Sequence, residues 1–187
     1  MKIAVTGGIG AGKSFVCSEL QRRGIDVYDC DAEAKRLMRT SATIQQQLKA
    51  LVGNDVYVEG RLNKPMLAQF LLASDENAMA VDNIVHPAVA HDFTLSGYDW
   101  MECAILFDSH FNERVALDKV VCVTAPLETR IKRIIKRDGI SRSKALEWIG
   151  RQLPQDEVLS MSDYEIINDG VHDLSSQIDR LLKQIGS

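Results

Sequence analysis

The chain contains no apolar run approaching the ~18 residues that a membrane-spanning helix needs, so no membrane span is expected. Cysteine is scarce and scattered: Cys17, Cys30, Cys103 and Cys122 form no Cys-x-x-Cys pair. Cys103 and Cys122 sit inside apolar runs and read as reduced core residues, so neither a zinc site nor a disulfide framework is expected. Positive charge is not in excess either. A net charge of −4 over 187 residues favours neither nucleic acid nor an anionic membrane as partner. Any surface for phosphate must therefore come from local basic clusters. Internal repeats, low-complexity segments and flexible linkers are missing. The chain enters its first apolar run at once, so no cleaved presequence is expected ahead of Gly7. These absences, with an ordinary globular balance of 45% hydrophobic and 26% charged residues, lead to the expectation of a single cytoplasmic domain.

The most informative stretch is Gly7-Gly8-Ile9-Gly10-Ala11-Gly12-Lys13-Ser14, which fits Gly-x4-Gly-Lys-Ser/Thr. Glycine lets the backbone curl with no Cβ in the way, so successive N–H groups can point inward at an anion. Lys13 is placed to reach the β- and γ-phosphates, and the Ser14 hydroxyl is the expected Mg²⁺ ligand. The context fits the motif. Residues 1–6 form a short apolar run suited to a buried parallel strand, and 15–24 read as a helix stopped by Gly24. The helix start would add its positive dipole end to the anion site.

Further along, 25–29 look like a second strand, followed by Asp29-Cys30-Asp31 and a helix for which Asp31 is well placed as N-cap. From there to about Gly97 the pattern is helical, with no good strand, and Pro87 should break or restart a helix. Strand character resumes over 100–107, ending in Asp108, and again over 119–124. Helices are expected over 126–137, 141–151, 154–161 and 174–185, with a last strand over 164–168. Five strands separated by helices imply an α/β fold: a parallel sheet with helices on both faces and a helical insertion.

Three acids fall near carboxyl ends of the expected strands, where ligands of open parallel sheets bind. Asp31 could accept a proton from an attacking hydroxyl, or could simply cap its helix. Asp29 reads as a structural partner or a partner to metal-bound water, and Asp108 as a carboxylate on the Mg²⁺ side. Arg130, Arg133 and Arg137 recur on one helical face, which suits either a solvated surface or a lid that brings guanidinium groups over a transferring phosphoryl. His86 is a core residue or a substrate partner; with His91 it makes a poor metal spacing, and His110 and His172 read as surface residues.

Four segments together resemble the dephospho-CoA kinases. They are Thr6 to Ser14, Asp29-Cys30-Asp31, Ile84-Val85-His86-Pro87, and a distal set: Arg133, Arg137-Asp138, Arg151-Gln152 and Asp163 to Gly170. The resemblance implies a three-layer P-loop NTPase/kinase fold and ATP-dependent, Mg²⁺-assisted phosphorylation of the ribose 3′-hydroxyl of dephospho-CoA, the last step of coenzyme A biosynthesis. It implies a core of about 1–30, 97–135 and 160–187, a CoA-binding insertion of about 31–96 and a lid of about 136–159. It further implies nucleotide contacts from Gly8, Gly10, Ala11, Gly12, Lys13, Ser14, Phe15, Arg133 and Arg137, with Ser14 on the metal. Asp31, Lys13 and Arg137 would be catalytic, and Asp31, His86 and Asp108 would meet the acceptor. A monomer or weak homo-oligomer is expected. Two departures stand out. Ala104 to Asp108 replaces the family's Pro-Leu-Leu-x-Glu, and Phe15 replaces a common Thr.

Two alternatives follow from the loop alone. One is another small-molecule or nucleotide kinase. The other is a nucleotide-dependent switch, which would need a guanine-reading Asn-Lys-x-Asp; the chain offers only Asn63-Lys64-Pro65-Met66.

Overall fold

The computed structural model describes residues 1–186. The chain divides into two units, Met1–Tyr28 with the chain from Tyr98 onward, and Asp29–Gly97.

The first unit is built on a five-stranded sheet. Its elements are β1 (Ile3–Thr6), α1 (Lys13–Gln21), β2 (Val27–Asp29, which runs into the second unit), β5 (Trp100–Glu102), β6 (Lys119–Thr124), α6 (Leu127–Asp138), α7 (Arg142–Gly150), α8 (Gln155–Ser160), β7 (Tyr164–Ile167) and α9 (Leu174–Ile185). The strand order is β2-β5-β1-β6-β7. Central β1 pairs in parallel with β5 on one side and β6 on the other, with Ile3 opposite both Trp100 and Lys119, and β7 continues the parallel ladder beside β6. Chain order thus reverses direction about β1. That makes its carboxyl end a topological switch point, where open parallel sheets bind ligands.

Period-two alternation explains the packing. Ile3, Val5, Val121, Val123 and Ile166 turn to one face, where they meet Val16, Cys17 and Leu20 of α1 and Ile178 and Leu181 of α9. A second apolar cluster joins α6 to α7 through Ile131, Ile134 and Ala145. All four cysteines are buried and no disulfide joins them. On β6, burial pushes the Cys122 thiol up to about 11, so it stays protonated at neutral pH.

Unit two holds four helices and one short hairpin: α2 (Cys30–Thr40), α3 (Ala42–Val52), β3 (Tyr57–Val58), β4 (Arg61–Leu62), α4 (Lys64–Ala73) and α5 (Asp75–Leu95). Side-chain oxygens of Asp29, Ser41, Asn63 and Ser74 cap the four helices in turn. Long α5 lies against α2, α3 and α4, burying Val81, Val85, Val89 and Phe93. Arg36 of α2 reaches Asp92 of α5 at 2.7 Å.

Several expectations need correcting. The stretch from 31 to 97 does contain strands, β3 and β4, joined by Glu59 and Gly60 with φ of 50° and 74°. Two successive positive φ values are what a tight two-residue hairpin loop requires. Pro87 does not end its helix; α5 runs through it. Buried packing on both sides of the proline outweighs a loss of about 3 kcal/mol. The strand expected over 100–107 stops at Glu102, and the apolar run beyond it folds into turns that bury Leu106 and Phe111. The cap of α2 is Asp29, not Asp31: its Oδ1 accepts from Ala32 N at 2.9 Å. No described helix is long and apolar enough to cross a membrane.

Candidate active site

The loop between β1 and α1 curls at the switch point. A Cβ on Gly7, at φ +138°, would come within 2.3 Å of the Val123 carbonyl oxygen, so only glycine allows the loop to pass this close to β6. Gly12 caps α1 in the left-handed conformation, φ 94° and ψ 32°. Lys13 opens the helix, buried, and its Nζ donates to the Gly7 carbonyl at 2.8 Å. Beside it stands Glu102, at the end of β5, with Oε1 3.8 Å from Lys13 Nζ. Both side chains are largely buried, so this pair is screened far less than a surface ion pair. Ser14 and Phe15 are exposed on the first turn of α1.

The loop is held from its carbonyl side. Arg130 of α6 is buried, and its Nε donates to Ile9 O at 2.9 Å. Loss of hydration lowers the Arg130 pKa, although the guanidinium remains a cation at neutral pH. Arg133 Nη1 donates to Ala11 O at 3.1 Å and Gly10 O at 3.4 Å. Asn168, just after β7, donates Nδ2 to Ala11 O at 3.0 Å and accepts from Arg133 Nη2 at 3.2 Å. On the other flank, Ile9 N donates to Gln152 Oε1 at 2.7 Å, and the Ile9 side chain packs on the α6–α7 cluster. Two of the three arginines on the basic helix are thus engaged with loop carbonyls. Arg137 is exposed and pairs with Asp138 at 2.8 Å.

Asp108 is exposed in the turns after β5, and its Oδ1 accepts from Leu153 N at 2.7 Å, tying that turn to the segment after α7. The acid at the strand end proper is Glu102, which sequence reasoning passed over. Its signal was present, an acid closing the three-residue core of the 100–107 run, but the apolar residues that follow masked it. Asn168 lay inside a quoted segment without a role. In unit two, Asp31 occupies the first turn of α2, exposed, and its carboxylate makes no hydrogen bond or ion pair among the described residues. Because Asp29 does the capping, the alternative of Asp31 as a cap falls away. His86 on α5 is half-buried, with Nε2 3.5 Å from Asp82 Oδ1. No group of three or more metal-ligating side chains gathers among the described residues.

A braced glycine-rich anion cradle at the switch point of a parallel sheet places the protein among the P-loop kinases. The dephospho-CoA kinase family model matches residues 1–173, and the chain belongs to that family. A dephospho-CoA kinase of Bacteroides fragilis is 38% identical over 193 residues, covering 97% of this chain and 91% of that protein. One from Porphyromonas gingivalis is 36% identical over 193 residues, covering 98% and 93%. Among solved structures, a Thermus thermophilus protein superposes with a TM-score of 0.85 at 29% identity, covering 100% of this chain and 98% of that one.

Proposed function

We propose that the protein transfers the γ-phosphoryl group of ATP to the ribose 3′-hydroxyl of dephospho-CoA, giving CoA and ADP. The observation that carries the reading is the cradle of residues 7–14, with Lys13 buried against it, in a chain matched by the kinase family over residues 1–173. Lys13 and the N–H groups of Gly8, Gly10 and Gly12 receive the nucleotide phosphates, with Phe15 alongside and Ala11 shaping the loop, its own N–H donating to Gly8 O at 3.1 Å. Arg133 contributes by holding the loop, and Arg137, at the end of α6, by charge toward the transferring group. The helices over 136–159 serve as a lid that excludes water.

Asp31 is the base. Its carboxylate is exposed and unengaged, and it accepts or orients the proton of the 3′-hydroxyl as that oxygen attacks phosphorus. The bond to the β-phosphate bridging oxygen breaks and ADP leaves. His86 and Asp108 are assigned to the acceptor. Mg²⁺, when bound, neutralises charge on the β- and γ-phosphates. The donors present suit it: Ser14 Oγ and the Glu102 carboxylate are hard oxygen ligands, and magnesium in such sites takes most of its shell from water and phosphate.

The test is an ADP-release assay with dephospho-CoA as acceptor, run beside a panel of nucleosides, nucleotides and sugar acids, with phosphorus NMR locating the new phosphate. Turnover specific to dephospho-CoA with a 3′-phosphate product is expected. Turnover of another acceptor in its place would overturn the assignment.

A further inference from the structure

Gly8 sits where the motif Gly-x4-Gly-Lys-Ser/Thr accepts any residue, and its φ is not positive, so neither motif nor backbone accounts for a glycine there. Arg130 accounts for it. A Cβ on Gly8 would fall 2.3 Å from Nη2 and 2.8 Å from Cζ of that residue, so the absent side chain leaves room for a guanidinium. The backbone of α6 comes almost as close to the next glycine: a Cβ on Gly10 would lie 2.7 Å from Arg130 O.

For a buried cation, Arg130 is poorly compensated. It is only 5% exposed, yet no carboxylate pairs with it among the described residues. Lys13, by contrast, has Glu102 at 3.8 Å, and Arg133 spends its donors on Gly10 O, Ala11 O and Asn168 Oδ1. In Arg130 only Nε is engaged, with Ile9 O. Every fully buried side-chain nitrogen or oxygen among the described residues has a partner. The two Nη groups of Arg130 have none, so they open onto solvent beside Gly8. The buried Cys122 thiol interacts electrostatically with both Arg130 and Lys13, but it is protonated at neutral pH and supplies no counter-charge. Lys13 Nζ also reaches Gly8 O, at 3.5 Å, so the two cations meet at one residue of the loop. A dehydrated charge without a counter-ion is costly to a fold, and an arriving anion offsets that cost.

We propose that Arg130 is a nucleotide-positioning residue: a fixed positive charge set behind Gly8 that draws the phosphates handled by Lys13 into the cradle. The proposal rests on the nucleotide half of the reading above and is independent of the acceptor. Arginine suits the place because its guanidinium keeps its charge when dehydrated, where an ammonium gives up its proton more readily. Its two contributions are separable. The bond from Nε to Ile9 O shapes the loop, and the charge beyond Nε acts on the anion. Glutamine carries an N–H at about the level of Nε, so Arg130→Gln keeps the first and removes the second. Arg130→Lys keeps the charge. Gly8 is glycine, on this reading, so that the charge can lie directly against the loop.

The experiment measures Kd for ATP and for adenosine by calorimetry, on the full chain at fixed salt and with no acceptor present. Wild type is compared with Arg130→Gln, Arg130→Lys and Gly8→Ala/Arg130→Gln, and thermal melts check that each is folded. Arg130→Gln should raise Kd for ATP by at least ~10-fold, the scale of one charge-assisted contact. Arg130→Lys should stay within about threefold of wild type, since the charge is retained. Adenosine, which carries no phosphate, should bind all four proteins alike. Adding Gly8→Ala to Arg130→Gln should cost no more than about a further twofold, because the atoms that a Cβ would strike are gone. Wild-type ATP affinity in Arg130→Gln, or a loss in Arg130→Lys as large as in Arg130→Gln, reduces Arg130 to a brace and overturns the proposal. So does an equal loss for adenosine, which would put the effect away from the phosphates. In each of these cases wild type still binds ATP and the kinase reading stands. Wild type that binds no ATP overturns both.

Discussion

Asn168 is where the bracing of the phosphate loop can be measured. Its side chain makes two bonds, to Ala11 O at 3.0 Å and from Arg133 Nη2 at 3.2 Å, while its backbone N–H holds Thr124 O at 2.8 Å independently. Asn168→Ala removes one neutral bond worth about 1 kcal/mol and one charge-assisted bond worth ~1.5–3 kcal/mol. Both are only partly buried, so water takes over some of each, and a net loss of about 2 kcal/mol is expected. For a chain of this size that lowers Tm by roughly 4–8 °C. Gly12 supplies the control. A Cβ there would fall 2.2 Å from Asn168 Nδ2, at a φ of +94°. Gly12→Ala alone therefore carries a clash and a strained backbone, the strain being ~1–2 kcal/mol. With Asn168→Ala also present, the clash is gone and the strain remains. Urea unfolding of the four proteins should show the double variant more stable than the sum of the singles by about 1 kcal/mol or more. Additivity within ~0.5 kcal/mol would refute the claim that Asn168 holds the loop at Gly12.

Asp31→Asn should leave the ATP dissociation constant unchanged and cut kcat by ~10²–10⁴; wild-type turnover would remove Asp31 from the chemistry. Lys13→Ala should raise the ATP dissociation constant and lower kcat/KM by at least ~100-fold, because one preorganised charge at the phosphates is lost; unchanged steady-state kinetics would contradict the loop assignment. The Asp163 carboxyl is held below its usual range, first by the Lys119 ammonium at 2.9 Å and also by Val120 N–H. A depressed folded pKa contributes stability that is complete above the unfolded value of about 4 and is lost as pH falls through the folded value. Thermal melts should therefore decline below about pH 4, and Asp163→Asn should flatten part of that limb. Asp169 and Asp173, which backbone and side-chain donors also hold low, contribute to the same limb, as do Glu76, Glu128 and Glu147. An acid limb identical in the variant would rule Asp163 out.

Much of the sheet was legible because its signals are local. Lys119–Thr124 is rich in β-branched residues (Val120, Val121, Val123 and Thr124), and Leu174–Ile185 follows an Asp cap with clean amphipathic spacing. The run beyond Glu102 was misread because periodicity alone cannot separate a buried strand from buried turns. The hairpin escaped because each strand has two residues, below the length at which alternation shows. Pro87 misled because tertiary packing outweighs a local preference. The glycine cradle and Lys13 were plain in the motif, whereas the roles of Arg130, Arg133 and Asn168 were not. Their partners lie more than a hundred residues away in the chain, as Arg130 to Ile9 does, and no spacing rule encodes that.

Three consecutive peptide groups of the loop, those whose oxygens belong to Ile9, Gly10 and Ala11, are gripped by guanidinium or amide donors. In a trans peptide the N–H points opposite to its oxygen. Drawing electron density toward one end of each unit leaves the hydrogen at the other end more positive. The amides of Gly10 and Gly12 are consequently aimed and polarised before any nucleotide arrives. Affinity for the triphosphate is thereby adjustable from the rear of the loop, through side chains on α6 and after β7.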